Sequence, residues 1–191
     1  MAKSNKIGVF IDGGYLEKVL KYSHNQQKVD LVALVRLMGE SSVMIANYYD
    51  CDPYQSSPPT EKEKKRFSLK QKLFNDISRS GTIIVKRGKL LYKGRDGNGK
   101  NLFFQKRVDC QICADIVRHS ILREIDKVLL LSGDSDLIPA VEMAKEFNVV
   151  TELWHGDFYN DRTAPSKELL NICAFRRYIS PTIVKQIATI V

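Results

Sequence analysis

Apolar and polar positions along the chain follow two periods, one typical of strands and one typical of helices. Short apolar runs with the pattern of strands occupy residues 7–11, 43–49, 82–85, 127–131 and 149–153. Between them, apolar residues recur three and four positions apart in residues 15–22, 30–39, 61–80, 108–122, 137–147 and 166–173. This alternation predicts a doubly wound α/β fold, with a mainly parallel sheet and helices on both faces.

A hairpin insertion is predicted between the third strand and the next helix. Residues 89–92 and 102–105 are strand-like and flank the glycine-rich residues 94–99. The chain has no internal repeat, and 191 residues fit one domain. We therefore expect a single domain over residues 1–191, with a C-terminal helix and tail, residues 164–191, appended to it. The apolar tail from Pro181 onward either packs on the domain or forms a homodimer contact.

Basic residues are concentrated in one part of the chain. Residues 61–107 contain 15 Lys or Arg and only four acids, a balance of +11, whereas the whole chain carries +8. A basic stretch of this kind is typical of a surface that binds a polyanion such as nucleic acid. The structural alternative is a set of solvated helix faces, on which lysine is common.

The N-terminal sequence and the cysteines both favour a cytoplasmic protein. The first apolar run, residues 7–11, is too short for a secretory signal or a membrane span. We therefore expect no membrane partner. Without a secretory signal, the four cysteines are expected to be reduced thiols. Cys110 and Cys113 form a CxxC pair, but no second close pair completes a zinc site, so we interpret them as small apolar core residues on one face of a helix.

Aspartates follow the predicted strands at the edge of the sheet where ligands of such folds bind. Asp12 ends the first strand, Asp134 and Asp136 follow the most apolar strand, and Asp109 begins a helix. Clustered carboxylates repel one another unless a cation lies among them, and Mg²⁺ prefers oxygen ligands. A bound divalent ion activates water for attack on a phosphodiester. The four aspartates therefore predict a metal-dependent phosphodiesterase site.

Each aspartate also has a structural alternative. Asp12 and Asp136 stand where helix N-caps occur, and Asp109 suits the first turn of a helix because of the helix dipole. The Gly-Asp-Ser-Asp loop that contains Asp134 is harder to explain by capping alone. Two further acids are interpreted as structural, because Asp115 is rotated away from Asp109 on the helix and Asp126 lies at the opposite end of its strand.

Four segments of the chain resemble the NYN domain family, in its LabA-like (DUF88) branch, which belongs with the PIN-like ribonucleases. They are Phe10-Ile-Asp-Gly-Gly-Tyr-Leu16, Asn47-Tyr-Tyr-Asp50, Gln105-Lys-Arg-Val-Asp109 and Leu131-Ser-Gly-Asp-Ser-Asp-Leu-Ile-Pro-Ala-Val141. The likeness runs in order over residues 7–154. It implies a Rossmann-like PIN fold and a site that binds Mg²⁺ or Mn²⁺, with RNA, preferably single-stranded, as the substrate of internal cleavage.

The resemblance also implies roles for individual residues. Asp12, Asp109, Asp134 and Asp136 match the acids that bind metal and catalyse. Lys106 matches the motif lysine and is expected to meet a phosphate, and we add Arg107, Ser132 and Tyr15 as candidates for substrate contact; Ser132 is also placed to bond a ligating carboxylate. Two departures stand out. Tyr15 replaces an asparagine found in many members, and residues 170–175 lack an acid that members often carry.

Other functions are less well supported by the sequence. An aspartyl-phosphate hydrolase needs a second acid where Gly14 stands, and the glycine pattern of dinucleotide-binding folds is absent after the first strand. No Gly-x-Ser-x-Gly motif accompanies the histidines. The serious alternative to a nuclease is a slow or inactive PIN-like module that binds RNA or protein without cleavage.

Overall fold

The computed structural model describes residues 6–99 and 101–189 of the chain. The strands in these ranges are β1 (Ile7–Asp12), β2 (Val43–Cys51), β3 (Ile84–Arg95), β4 (Asn101–Lys106), β5 (Lys127–Leu131), β6 (Val150–His155) and β7 (Phe175–Tyr178). The α-helices are α1 (Gly13–Ser23), α2 (Leu31–Gly39), α3 (Glu61–Arg79), α4 (Val108–Ile121), α5 (Ile138–Glu146), α6 (Lys167–Ile172) and α7 (Pro181–Gln186).

The strands form one sheet in the order β4-β3-β2-β1-β5-β6-β7. Neighbouring strands pair in parallel throughout, except for the antiparallel β3–β4 hairpin. The chain leaves β1 toward β2 on one side and later returns to place β5 on the other side. The carboxyl ends of β1 and β5 therefore form the switch point at which ligands of doubly wound sheets bind. The predicted α/β fold class is confirmed.

Hydrophobic cores lie on both faces of the sheet. Side chains of β1 alternate between them, because Val9 and Ile11 join one core and Phe10 joins the other. Helices α1, α2, α3 and α7 contribute to the first core, and α4, α5 and α6 contribute to the second. Both faces of β1 and β5 are thus covered by helices, which explains why these two strands are apolar along nearly their whole length.

The hairpin differs from its predicted form in one respect. The separate strands expected at residues 82–85 and 89–92 are a single strand, β3, which pairs with β2 in its first half and with β4 in its second half. Gly88 lies at the change of partner, where a Cβ atom would stand 2.8 Å from the Lys106 carbonyl oxygen and 2.7 Å from a Val108 methyl. This glycine permits close approach of neighbouring chain and does not break the strand.

The C-terminal region contains two elements that the sequence pattern did not predict. Strand β7 is a short edge strand whose residues are all exposed, so it lacks a hydrophobic alternation. Helix α7 begins at Pro181, and Val184 and Ile187 are buried in the first core. The described part of the tail therefore packs on the domain. No helix in residues 6–99 or 101–189 is long and apolar enough to cross a membrane.

Candidate active site

Asp12 is a buried carboxylate at the carboxyl end of β1. Its Oδ1 accepts a hydrogen bond of 3.0 Å from the Tyr15 N–H and so caps α1, as expected for a helix N-cap. Its Oδ2 accepts a bond of 3.4 Å from the Ser132 hydroxyl. Burial, and then the nearby charges of Asp109 and Asp50, raise the pKa of Asp12 to about 6 against the opposing effect of the Tyr15 bond.

The loop after β5 presents two exposed aspartates next to Asp12. The Ser132 hydroxyl that bonds Asp12 also accepts a bond of 3.3 Å from the Asp134 N–H, so it links the two strand ends. Asp134 Oδ1 accepts a bond of 3.0 Å from the Asp136 N–H. The loop is thereby held in a turn that exposes both carboxylates toward solvent.

Asp109 reaches the same region from the first turn of α4. The residue that caps this helix, Arg107, has φ of 77°, a left-handed conformation that is uncommon for a residue other than glycine. Burial raises the pKa of Asp109, and the charges of Asp134 and Asp136 raise it further. Asp109 is therefore within electrostatic reach of Asp12 and also of Asp134 and Asp136, so acids from three separate segments meet around it.

A cleft of about 430 Å³ opens beside these acids, and its lining combines both signs of charge. It is lined by Gln105, Lys106, Arg107, Asp109, Cys110, Cys113 and Asp136. Lys106 and Arg107, predicted to contact substrate, are exposed here. The prediction that the CxxC cysteines are apolar core residues is wrong for Cys110. Its side chain is exposed in the first turn of α4, where it lines the cleft next to Asp109.

The four aspartates do not form a preassembled metal-binding cage among the described residues. Among residues 6–99 and 101–189, no three His, Cys, Asp or Glu side chains are grouped closely enough to enclose an ion. The chemistry of the donors nevertheless fits Mg²⁺ or Mn²⁺, since all four are carboxylates and two have raised pKa values. Magnesium is commonly held by one or two carboxylates, with water and phosphate oxygens completing its shell, so it does not require an enclosing protein cage.

Tyr15, also predicted to contact substrate, is buried and already bonded through its hydroxyl. The hydroxyl donates to the Thr163 carbonyl at 2.6 Å and accepts from the Gly156 N–H at 3.0 Å. Its ring covers Gly133, where an added Cβ would stand 2.4 Å from the ring. In this structure Tyr15 joins α1 to the loops after β5 and β6, and its substrate contact stays a prediction.

The acids interpreted as structural are paired. Asp115 accepts bonds from the Tyr49 hydroxyl at 2.6 Å and the Asn47 side-chain amide at 3.3 Å, and it forms an ion pair with Lys86 at 2.7 Å. Asp126 accepts a bond of 3.1 Å from the Lys6 N–H. By contrast, no ion pair within 4.0 Å involves any of the four site aspartates among the described residues.

Three residues near the site were not singled out from the sequence. Lys18, exposed on α1, lowers the pKa values of both Asp12 and Asp109. Asp50 is buried at the end of β2, pairs with Lys70 at 2.6 Å and raises the pKa of Asp12. Gln105 lies against Gly14, where an added Cβ would be 3.0 Å from its Nε2 and 3.4 Å from Asp12 Oδ1. The quoted motifs contained Asp50 and Gln105, but only the sheet register brings them to Asp12.

The chain matches the family model of the NYN domain over residues 6–180 and therefore belongs to that family. NYN domains are PIN-like nuclease domains, and the seven-stranded α/β sheet agrees with that fold. The match extends past residue 154, where the sequence likeness ended, and includes α6 and all of β7. Comparison with curated proteins and with solved structures found no match.

Proposed function

We propose that this NYN domain protein is a divalent-metal-dependent endoribonuclease. One observation carries the proposal: Asp12, Asp109, Asp134 and Asp136 converge on the switch point without a basic partner within 4.0 Å among the described residues. Burial, and after it repulsion from neighbouring carboxylates, raises the pKa values of Asp12 and Asp109. Such a group costs folding free energy unless a cation binds, which is typical of a functional site.

The four aspartates are the residues that would hold Mg²⁺ or Mn²⁺. When bound, the ion would lower the pKa of a water molecule and stabilise the charge that develops on the phosphate. Asp12 is the most constrained ligand, because both of its oxygens are bonded and its position is fixed by β1 and α1. Asp134 and Asp136 are exposed, and only one Asp134 oxygen is engaged, by the Asp136 N–H, so both carboxylates still present oxygens to an ion and a phosphate.

Positive side chains around the acids supply contacts for the RNA backbone. Lys106 and Arg107 line the cleft beside Asp109, and Lys18 on α1 is close enough to Asp12 and Asp109 to lower their pKa values. Lysine and arginine pair with phosphate oxygens and add affinity that is independent of sequence. Ser132 acts through Asp12, whose carboxylate it orients, and we assign it a positioning role.

A second candidate function is RNA binding without cleavage. It is favoured by the open arrangement of the acids, since the described residues do not enclose an ion as they stand. A binding module needs the basic surface but has no use for four converging carboxylates, so a cleavage measurement separates the two functions.

The decisive assay uses labelled RNA with Mg²⁺, Mn²⁺ or EDTA. We expect cleavage with either ion, none with EDTA, and a rate about 1,000-fold lower for Asp134→Asn, because loss of a metal ligand removes several kcal/mol of transition-state stabilisation. Glu142→Gln, an exposed acid on α5, is the matched control and keeps the wild-type rate. RNA binding without cleavage by the wild type favours the binding module, and equal rates for wild type and Asp134→Asn refute the site.

Finer assignments follow from the same motifs. We place the chain in the LabA-like branch and in the cytoplasm, where its RNA substrate is found. The C-terminal tail packs on the domain through Val184 and Ile187, so we do not propose it as the homodimer contact.

A further inference from the structure

Three aromatic rings form a cluster on the hairpin that neither hydrophobic core includes among the described residues. Ring centroids lie 5.4 Å apart for Tyr54 and Tyr92, 5.1 Å for Tyr54 and Phe103, and 5.7 Å for Tyr92 and Phe103. Tyr92 and Phe103 remain 42% and 39% exposed. Tyr54 comes from the loop between β2 and α3, and the other two rings come from β3 and β4.

The cluster lies on the same face of the hairpin as a residue of the acid cleft. Tyr92 and Phe103 are paired across the antiparallel strands, so their side chains share a face. Gln105 is two residues beyond Phe103 on β4 and therefore shares that face too. Gln105 lines the cleft and lies against Gly14 beside Asp12. Along β4 the backbone positions of Phe103 and Gln105 are about 7 Å apart, roughly two base-stacking steps.

The charge around the rings fits a polyanion. Strands β3 and β4 carry six basic residues and no acid. Arg95 pairs with Asn101, two residues before Phe103, and so lies on the face of the three rings. The Lys93 ammonium lies on the opposite face, 4.0 Å from the centroid of the Phe104 ring. An exposed aromatic surface flanked by lysine and arginine is the arrangement that binds single-stranded nucleic acid, because every unpaired base has a face that stacks on a ring and a phosphate that pairs with a cation. A double helix hides those faces.

We propose that Tyr92 and Phe103, supported by Tyr54, form a stacking platform for unpaired bases of RNA next to the scissile phosphate. This inference rests on the proposed ribonuclease function and assigns the residues that hold the unpaired bases of its substrate. The platform holds the RNA strand along the hairpin, and the strand continues past Gln105 to Asp12 and Asp109. Tyr54 packs against the other two rings and ties the β2–α3 loop to the hairpin.

The test measures the affinity of fluorescein-labelled single-stranded RNA in EDTA by fluorescence anisotropy, so that no cleavage intervenes. Phe103→Leu and Tyr92→Leu keep an apolar side chain but remove the ring, and we expect each to weaken binding by about 5- to 100-fold. Phe103→Tyr keeps the ring and binds like the wild type. The matched control is Phe175→Leu on β7, an exposed ring with Lys127 5.5 Å from its centroid at the opposite sheet edge.

Two further readouts separate stacking from a purely structural role. A 2-aminopurine base in the RNA is quenched by the wild type and not by Phe103→Leu. An RNA with abasic sites in place of several bases binds the wild type more weakly, and Phe103→Leu adds little to that loss. Circular dichroism verifies that the variants are folded.

The proposal is overturned by wild-type affinity in Phe103→Leu, by equal losses for intact and abasic strands, or by a wild type that does not bind single-stranded RNA. The platform can be refuted without refuting the ribonuclease function. Cleavage with Mn²⁺ at the wild-type rate in both leucine variants would support the nuclease and refute the platform. Conversely, a wild type that quenches 2-aminopurine but does not cleave RNA would support the platform and refute the nuclease.

Discussion

Asp12 and Asp115 are both buried carboxylates, and they differ in the partners that the fold offers them. Asp115 receives two hydrogen bonds and the Lys86 ammonium, all from side chains. Asp12 receives one backbone N–H and one serine hydroxyl, while Asp109 adds a like charge nearby. The fold therefore satisfies one carboxylate and leaves the other short of positive charge. This difference separates an acid that stabilises the structure from an acid that is held ready for a cation.

Loss of Asp115, the carboxylate that has side-chain partners, should destabilise the protein. Asp115→Ala leaves the Tyr49 hydroxyl and the partly buried Lys86 ammonium without their partner, so we expect the free energy of unfolding to fall by about 3 kcal/mol. Urea denaturation measures it. Glu142→Ala, at an exposed position on α5, is the control and should change stability by less than about 0.5 kcal/mol. If Asp115→Ala lowered the free energy of unfolding by less than about 1 kcal/mol, Asp115 would not be the stabilising acid that contrasts with Asp12.

Removal of the charge on Asp12, the carboxylate that is short of positive charge, should instead stabilise the protein in the absence of metal. In EDTA, Asp12→Asn keeps the oxygen that caps α1 and removes the charge, so above pH 6 we expect the variant to be more stable than the wild type by about 2 kcal/mol. The measurement is the free energy of unfolding as a function of pH.

The sign of this pH dependence follows from the raised pKa. Folded Asp12, with a pKa of about 6, holds a proton that the unfolded chain releases near its ordinary 3.8. The wild type therefore loses stability as the pH rises from about 4 to 6, and the difference between wild type and variant disappears below that window. An Asp12→Asn protein less stable than the wild type at pH 8 would show that the charge is compensated in the fold.

The sequence was informative where one pattern governed one element. The apolar runs of β1 and β5 and the aspartates that follow them predicted both the central strands and the acids at their ends, because a buried parallel strand leaves little freedom in composition. Asp115 was separated from Asp109 by helical rotation alone, and it is indeed bonded to β2 and β3 side chains.

Other features depend on distant parts of the chain and had no local signal. Strand β7 is four exposed residues that pair only because β6 provides an edge. The contact between Gln105 and Gly14 requires the hairpin to fold back onto the start of α1. Tyr15 was a candidate for substrate contact, and its hydroxyl bonds to Gly156 and Thr163, which follow β6. Such contacts arise from tertiary packing, which short-range patterns do not encode.

The most direct test of the comparison is Mn²⁺ binding without RNA, followed by the loss of the free-ion signal in electron paramagnetic resonance. We expect the wild type to bind Mn²⁺ and Asp109→Asn and Asp134→Asn to weaken binding by about tenfold or more. Asp126→Asn, which alters an acid just before the amino end of β5, should leave binding unchanged. A wild type that binds no Mn²⁺ at millimolar concentration, or Asp126→Asn that weakens binding as much as Asp134→Asn, would contradict this expectation.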